Sequence, residues 1–302
     1  MIFDPQAKLL WHGDKVKNWL TTGKASPILV EIAPTGYCNA NCPWCFFQGK
    51  LGKEKIDRGV LLRTLSDFSK LGLEAVNWSG GGEPTLHPNF SEFVLEANRL
   101  GFKQGLFTNG YQEIPHQDKF SWIRVSLTNQ GFDPIIKPTV KFGICLNHIL
   151  SYTEDSLNSI CKQAKDFGAS YFQVRPALMG GHKKQPILTP PLFLKKNDTR
   201  NFKVYVTEYK YDQAIKPKTY KDCYGYHFCP SVDWHGKLSV CLYLTLEQSY
   251  ILGDLNKESL LDLWTKLPKK ANVISNCQNC CKNHEINKIL FSTKNIKSES
   301  FL

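Results

Sequence analysis

Between residues 28 and 176, short apolar runs alternate with segments whose apolar side chains recur every three or four positions. Apolar runs of about four to eight residues between turn residues fit buried strands, and the longer period fits one face of a helix. ILVEIAP (28–34), AVNWSG (75–80), KQGLFTNG (103–110), WIRVSLT (122–128), KFGICLN (141–147) and YFQVRPAL (171–178) are therefore predicted strands. DRGVLLRTLSDFSKLG (57–72) is a predicted helix with Leu61, Leu65 and Phe68 on one face, Asp57 as N-cap and Gly72 as stop. NFSEFVLEANRLG (89–101) is a second, burying Phe90, Phe93, Val94 and Ala97, and TEDSLNSICKQAKDFG (153–168) is a third.

Strands alternating with helices predict parallel βα units. Six strands are too few to close the eight-stranded TIM barrel. The expected fold is α/β, a partial (β/α)6 TIM-like barrel. About a dozen residues, including Pro134 and Pro138, separate WIRVSLT from KFGICLN, so the helices after the third and fourth strands must be short. Residues 180–222 break the pattern with prolines and mixed charge, predicting a surface connector in which KVYVTEYKY (203–211) is one candidate strand. The expected organisation is a helical lead-in (1–25), a core (26–180), a basic connector (181–222) and a small cysteine-rich C-terminal domain (223–302).

Composition narrows the class. At 302 residues, 42% hydrophobic and 12% aromatic, the chain is a folded globular protein. The N-terminus has scattered charges and no apolar signal core, and no run approaches the ~18–20 apolar residues of a membrane span. A cytoplasmic protein without a membrane partner is expected. Eleven cysteines in a reducing compartment are not a disulfide framework. Three fall at 38, 42 and 45, and six at 223, 229, 241, 277, 280 and 281, which predicts two metal-binding groups. Cys145 and Cys161 stand apart and are expected to pack as small hydrophobes. The net charge of +11 is concentrated: residues 181–222 carry ten Lys/Arg against four Asp/Glu, and residues 266–302 carry seven against two. That suits an anionic substrate or a solvated surface. The basic stretches lack a stacking pattern or recognition helix, so a nucleic-acid partner is not expected.

The loop CNANCPWCFF (38–47) offers three thiolates as C-x3-C-x2-C, one short of a closed tetrahedral site. A zinc site of three cysteines usually borrows a nearby histidine, and the nearest downstream is His87. Iron–sulfur cubanes also take thiolates, and three would leave one iron open. Trp44, Phe46 and Phe47 would shield it.

CNANCPWC at the end of the first predicted strand, with SGGGEPTLHP at the end of the second, resembles the radical S-adenosylmethionine (radical SAM) enzymes over roughly residues 8–180. The resemblance implies that Cys38, Cys42 and Cys45 bind a [4Fe–4S] cluster whose open iron chelates S-adenosylmethionine. It also implies that Gly80, Gly81, Gly82, Glu83 and Pro84 lie against the cofactor's amino group. Gly81 and Gly82 are expected to adopt backbone conformations closed to other residues. Thr108, Asn109, Ser126, Asn147 and Arg175, at the ends of later strands, are candidate contacts to its ribose and carboxylate.

C-x12-G-x4-C from Cys223 to Cys241, followed by C-x2-C at 277–280, resembles the SPASM and shorter twitch auxiliary-cluster domains of such enzymes, with Gly236 turning a hairpin. Cys223, Cys241, Cys277 and Cys280 would then hold one auxiliary [4Fe–4S] cluster. Cys229 competes with Cys223, and Cys281 with Cys280. A structural zinc ribbon uses the same ligands. A spare thiol, Cys229 or Cys281, is a candidate hydrogen-atom donor.

The expectation is a 5′-deoxyadenosyl radical that takes a hydrogen atom in oxidising or epimerising a small sugar- or nucleotide-like molecule, with a flavodoxin- or ferredoxin-type electron donor. No added N-terminal domain for a leader peptide is evident, which tilts the expectation away from the alternative, a ribosomal-peptide maturase. The alternative of another class is a non-catalytic zinc protein that binds nucleic acid.

Overall fold

A computed structural model describes residues 5–23, 25–177, 187–213, 218, 220–272, 283–294 and 296. Helices α1 (Pro5–Leu10) and α2 (Gly13–Thr22) precede strand β1 (Leu29–Ile32). The chain then runs through α3 (Arg58–Lys70), β2 (Ala75–Trp78), α4 (Phe90–Arg99), β3 (Lys103–Thr108), β4 (Trp122–Ser126), β5 (Phe142–His148), α5 (Glu154–Asp166) and β6 (Tyr171–Pro176). Each of these lies inside the segment predicted for it, apart from β5, which runs one residue past its segment. Asp57 caps α3 by accepting a hydrogen bond from the Val60 N–H (3.0 Å), and Thr153 caps α5 in the same way through the Ser156 N–H.

The helices after the third and fourth strands are short, as expected. A single 3-10 turn, Gln117–Lys119, follows β3, and no helix stands between β4 and β5. The stretch read as a connector does more than connect. Its residues 203–206 form β7 (Lys203–Val206), a seventh strand parallel to β6. The strand expected to reach residue 211 stops at Val206, and α6 (Glu208–Gln213) follows.

The C-terminal part comprises β8 (Asp222–Cys223), β9 (Ser231–Val232), β10 (Lys237–Ser239), β11 (Ile251–Asp254), α7 (Leu260–Thr265), β12 (Ala271–Asn272) and α8 (His284–Lys294). The predicted hairpin is present between β9 and β10, with Gly236 turning the chain at a φ of 71°. It extends the main sheet, whose order is β11-β10-β9-β1-β2-β3-β4-β5-β6-β7. β9 pairs in parallel with β1, so the C-terminal hairpin borders the first barrel strand directly.

Alternation along the strands sorts side chains onto two faces. Val30, Ile32, Val76, Trp78, Ile144 and Val174 pack outward against Leu61, Leu65, Phe68, Phe93 and Leu157 of the helices. Each such fully buried side chain contributes roughly 1.5–3 kcal/mol. The intervening residues, among them Glu31, Asn77, Phe107, Arg124, Cys145 and Gln173, therefore face the barrel interior. Val16 and Trp19 of α2 bury against Tyr224, Phe228 and Leu290, docking the helical lead-in on the C-terminal part.

Candidate active site

The C-terminal ends of the parallel strands form one rim, where open α/β folds place their sites. The three-cysteine loop leaves β1 there, the glycine turn leaves β2, and Thr108 and Asn109 close β3. Backbone hydrogen bonds join the first two: Gly82 N–H to the Thr35 carbonyl (2.9 Å) and Glu83 N–H to the Tyr37 carbonyl (2.8 Å).

The unusual torsions expected of Gly81 and Gly82 are not present. Gly80, Gly81 and Gly82 do not have positive φ. What they lack is room. A Cβ on Gly82 would stand 2.0 Å from the Tyr37 carbonyl oxygen, and one on Gly81 would stand 2.1 Å from the Trp234 ring. Close approach of neighbouring protein, rather than special torsions, fixes these positions.

Glu83 joins this unit to β3. Its buried carboxylate accepts from the Thr108 hydroxyl (2.8 Å), the Thr85 hydroxyl (2.8 Å), the Thr85 N–H (3.2 Å) and the Asn109 N–H (2.7 Å). Burial pushes its pKa up, and these donors oppose the shift. Pro84 opens the following 3-10 turn, Pro84–Leu86. Asn109 in turn donates to Asn39 Oδ1 (2.7 Å) and lies 3.9 Å from Cys38 Sγ. One carboxylate thus positions the residue that steadies the cysteine loop.

Cys38, Cys42 and Cys45 are half-buried and unpaired in disulfides. Burial raises the pKa of all three thiols, that of Cys42 to about 12, and repulsion from Cys45 and Cys38 adds to the shift at Cys42. Among the described residues, no three His, Cys, Asp or Glu side chains converge where one metal ion would fit. The thiols are near enough for Cys45 and Cys38 to repel a charge on Cys42. Three thiolates from one loop suit an iron–sulfur cluster with one iron left open. Trp234 Nε1, buried without a hydrogen-bond partner among the described residues, lies beside Gly36 just before this loop. An orphaned donor, a glycine cradle and an all-sulfur ligand set together fit the cluster and cofactor that the family resemblance implies.

Ser126, Asn147 and Arg175 continue the rim on β4, β5 and β6. Arg175 Nε donates to Asn147 Oδ1 (3.0 Å) across paired strands. Sequence reasoning missed what lies below. Arg124 on β4 stacks over Phe107, with its guanidinium carbon 4.0 Å from the ring centroid, and donates to Gln173 Oε1 (2.6 Å). The alternation in WIRVS places Arg124 on the same face as Ser126, and that signal was available. Cys145 and Cys161 are both buried as small hydrophobes, as expected. Cys145 lies on the interior face, in register with Ser126 and Gln173, and Cys161, on α5, packs in the hydrophobic core beneath the helices.

Cys223 and Cys241 both pack around Tyr226, Val240, Leu244 and Tyr250. Asn287, fully buried on α8, donates from Nδ2 to Cys223 Sγ (3.3 Å) while its Oδ1 accepts the Tyr224 and Gly225 N–H groups. Cys229 is buried beside the opposite, N-terminal end of β1, where the Leu29 N–H bonds the Phe228 carbonyl. The structure does not bring it to the rim. Cys277, Cys280 and Cys281 lie outside the described residues. The two cysteine regions meet through aromatic pairs: Phe46 with Tyr243 (4.6 Å between centroids) and Phe47 with Trp234 (5.4 Å).

Known proteins agree with this geometry. A cofactor-modifying protein for tungsten-containing aldehyde ferredoxin oxidoreductase from Pyrococcus furiosus is 31% identical over 138 residues, which is 44% of this chain and 38% of the relative. An S-adenosylmethionine-dependent nucleotide dehydratase from Flammeovirga pacifica is 31% identical over 30% of this chain and 34% of its own length. The matches thus span well under half of these relatives. SuiB of Streptococcus suis, solved with S-adenosylmethionine, shares the fold with a TM-score of 0.62 at 16% identity, covering 86% of this chain and 71% of SuiB. SuiB has also been solved with its precursor peptide SuiA. The family model of the radical SAM superfamily matches residues 32–150, and the SPASM iron–sulfur cluster-binding model matches residues 223–283. The second match decides the question left open for the C-terminal cysteines in favour of iron–sulfur over zinc. By these two matches, laid over the rim and the C-terminal cysteines, the chain belongs to the radical SAM superfamily, whose members use a [4Fe–4S] cluster and S-adenosylmethionine, and its C-terminal part is a SPASM-type auxiliary-cluster domain.

Proposed function

We propose that the rim is where S-adenosylmethionine is cleaved, and that the barrel interior holds the molecule from which a hydrogen atom is taken. The reaction in this reading is oxidation or epimerisation of a small sugar- or nucleotide-like substrate. One observation carries the proposal: Glu83 ties the three-thiol loop, the glycine turn and Thr108–Asn109 into one unit above a polar interior. Residues 26–180 act as the catalytic core, 181–222 as a connector and 223–302 as the auxiliary-cluster domain.

In this reading Cys38, Cys42 and Cys45 hold the cluster, and Gly80 to Pro84 form the wall against the cofactor's amino group. When bound and reduced by one electron, the cluster supplies the cleavage of S-adenosylmethionine to methionine and a 5′-deoxyadenosyl radical. Arg175, oriented by Asn147, offers a fixed cation suited to a carboxylate. Ser126, Thr108 and Asn109 supply hydrogen-bonding groups to the ribose side. The rim aromatics Phe46, Phe47 and Trp234 exclude water from the thiols.

Cys223, Cys241, Cys277 and Cys280 hold one auxiliary [4Fe–4S] cluster. The Phe46–Tyr243 contact brings that region to the rim, a placement that suits removal of a second electron in an oxidation. A flavodoxin- or ferredoxin-type protein is the electron donor in this proposal. The likeness in fold to SuiB favours one second reading, modification of a peptide.

The test is anaerobic incubation of iron-loaded protein with dithionite and S-adenosylmethionine, with 5′-deoxyadenosine measured by mass spectrometry. The wild type is expected to form it. A Cys38→Ala/Cys42→Ala/Cys45→Ala variant that still cleaved the cofactor would sink the proposal.

A further inference from the structure

The barrel interior contains a second arginine, below the rim, that the proposed cofactor contacts leave unused. Arg124 is enclosed by the barrel wall yet keeps part of its surface open to the interior. Its placement is built by neighbours. Phe107 supports one face of the guanidinium, and Gln173 accepts from Nη1. Gln173 is two strands away, on β6. The reach is possible because the intervening β5 residue in register with Arg124 is Gly143, where a Cβ would also stand 2.0 Å from the Tyr171 ring. An ordinary side chain there would displace Tyr171 and close the space.

This arginine has no countercharge. Among the described residues no carboxylate forms an ion pair with Arg124 and Arg175 repels it, while the interior carboxylate Glu31 acts on Arg175 instead. Arg124 Nε is buried with no hydrogen-bond partner among the described residues. Because Gln173 takes Nη1, the free Nε–H lies on the Nε/Nη2 edge, the side-on fork that grips a carboxylate or phosphate bidentately. A buried, unpaired guanidinium with an unmet N–H is costly unless a ligand completes it.

We propose that Arg124 binds an anionic group of the substrate, a carboxylate or a phosphate, below the position at which Arg175 meets the cofactor. The proposal rests on the reading of the barrel interior as the substrate site. It makes the substrate an acid or a phosphorylated molecule, held by its charged end.

The experiment is calorimetric titration of inorganic phosphate, and separately of acetate, into iron-loaded protein saturated with S-adenosylmethionine. Wild type is expected to bind at least one of them at one site, and Arg124→Gln to weaken that binding about ten- to a hundred-fold. Arg124→Lys should restore part of the affinity, and the affinity for S-adenosylmethionine should stay within about two-fold of wild type in both variants. Arg175→Gln should show the reverse pattern. If neither anion binds the cofactor-saturated wild type, or if Arg124→Gln binds them equally well, the proposal is overturned. It is equally overturned if Arg124→Gln mainly weakens S-adenosylmethionine, because the arginine would then serve the cofactor's carboxylate. Should Arg124→Gln fail to fold, Arg124→Lys and the wild-type titrations with and without cofactor decide between the same outcomes. Formation of 5′-deoxyadenosine without substrate is measured in parallel, so failure of the radical reading and failure of the anion site are separable.

Discussion

Removing the Glu83 carboxylate tests whether the rim is one mechanical unit. Four donors converge on it, two of them backbone N–H groups at 2.7 and 3.2 Å. In Glu83→Ala all four lose their acceptor in a buried setting where each unmet donor costs about 1–3 kcal/mol. Relief from burying a charge returns part of that, because burial already pushes the Glu83 pKa up. A net loss of about 3–5 kcal/mol is expected, in the range seen when one partner of a buried charged network is deleted. Glu83→Gln keeps one oxygen but turns an NH2 group toward a donor, and should cost about 1–3 kcal/mol. Urea unfolding of the metal-free protein under reductant reads both values. Since Asn109 reaches from Glu83 to Asn39 and Cys38, iron retained after desalting should fall alongside stability. The sign of the pH effect is a further check. A carboxylate whose folded pKa is raised loses stabilisation as pH rises through that value, so wild type should show this loss and Glu83→Gln should not. Glu83→Ala within about 1 kcal/mol of wild type, with full iron, would refute the reasoning.

Other perturbations act at single contacts. Gly82→Ala drives a Cβ against the Tyr37 carbonyl, which is backbone and cannot swing away. It should destabilise by about 1–3 kcal/mol in the same unfolding assay, and an unchanged midpoint would mean that the loop yields. Trp234→Ala removes a buried ring that fills the space between Gly36, Gly81 and Phe47, and should cost about 3–5 kcal/mol. His87 is held neutral by burial, with Nε2–H donating to the Ile56 carbonyl (3.1 Å) and Nδ1 accepting the Asn89 N–H (3.1 Å). Its folded pKa is lowered, so its contribution is complete above the unfolded value of about 6.5 and is lost as pH falls below it. Unfolding midpoints at neutral and mildly acidic pH should therefore fall less in His87→Gln than in wild type.

Much of the rim was legible because its signals are local. A strand, a cysteine loop, a second strand and a glycine turn occur in order, and the barrel's parallel register brings their ends together. The two-residue period also carried information that went unread: Arg124 shares a face with Ser126, and Cys145 lies on the interior face of β5. Cys145 is buried as expected, but which face it takes was not read, because burial inside a barrel and burial beneath its helices look alike in a short apolar run. The conformational reason given for Gly81 and Gly82 does not hold. Their constraint comes from Trp234, more than a hundred residues away, and from Tyr37, contacts that no local pattern encodes. The pairing of β9 with β1 was hidden for the same reason, since each strand is too short to announce its partner.

The central claim is that the three-thiol loop at the rim holds a cluster with one iron open to S-adenosylmethionine. Electron paramagnetic resonance of the reduced, iron-loaded protein tests it most directly. The account predicts a cluster signal that changes shape on adding S-adenosylmethionine, persists with that response in Cys223→Ala/Cys241→Ala, and is absent from Cys38→Ala/Cys42→Ala/Cys45→Ala. A cofactor response that survived loss of the three rim thiols would contradict it.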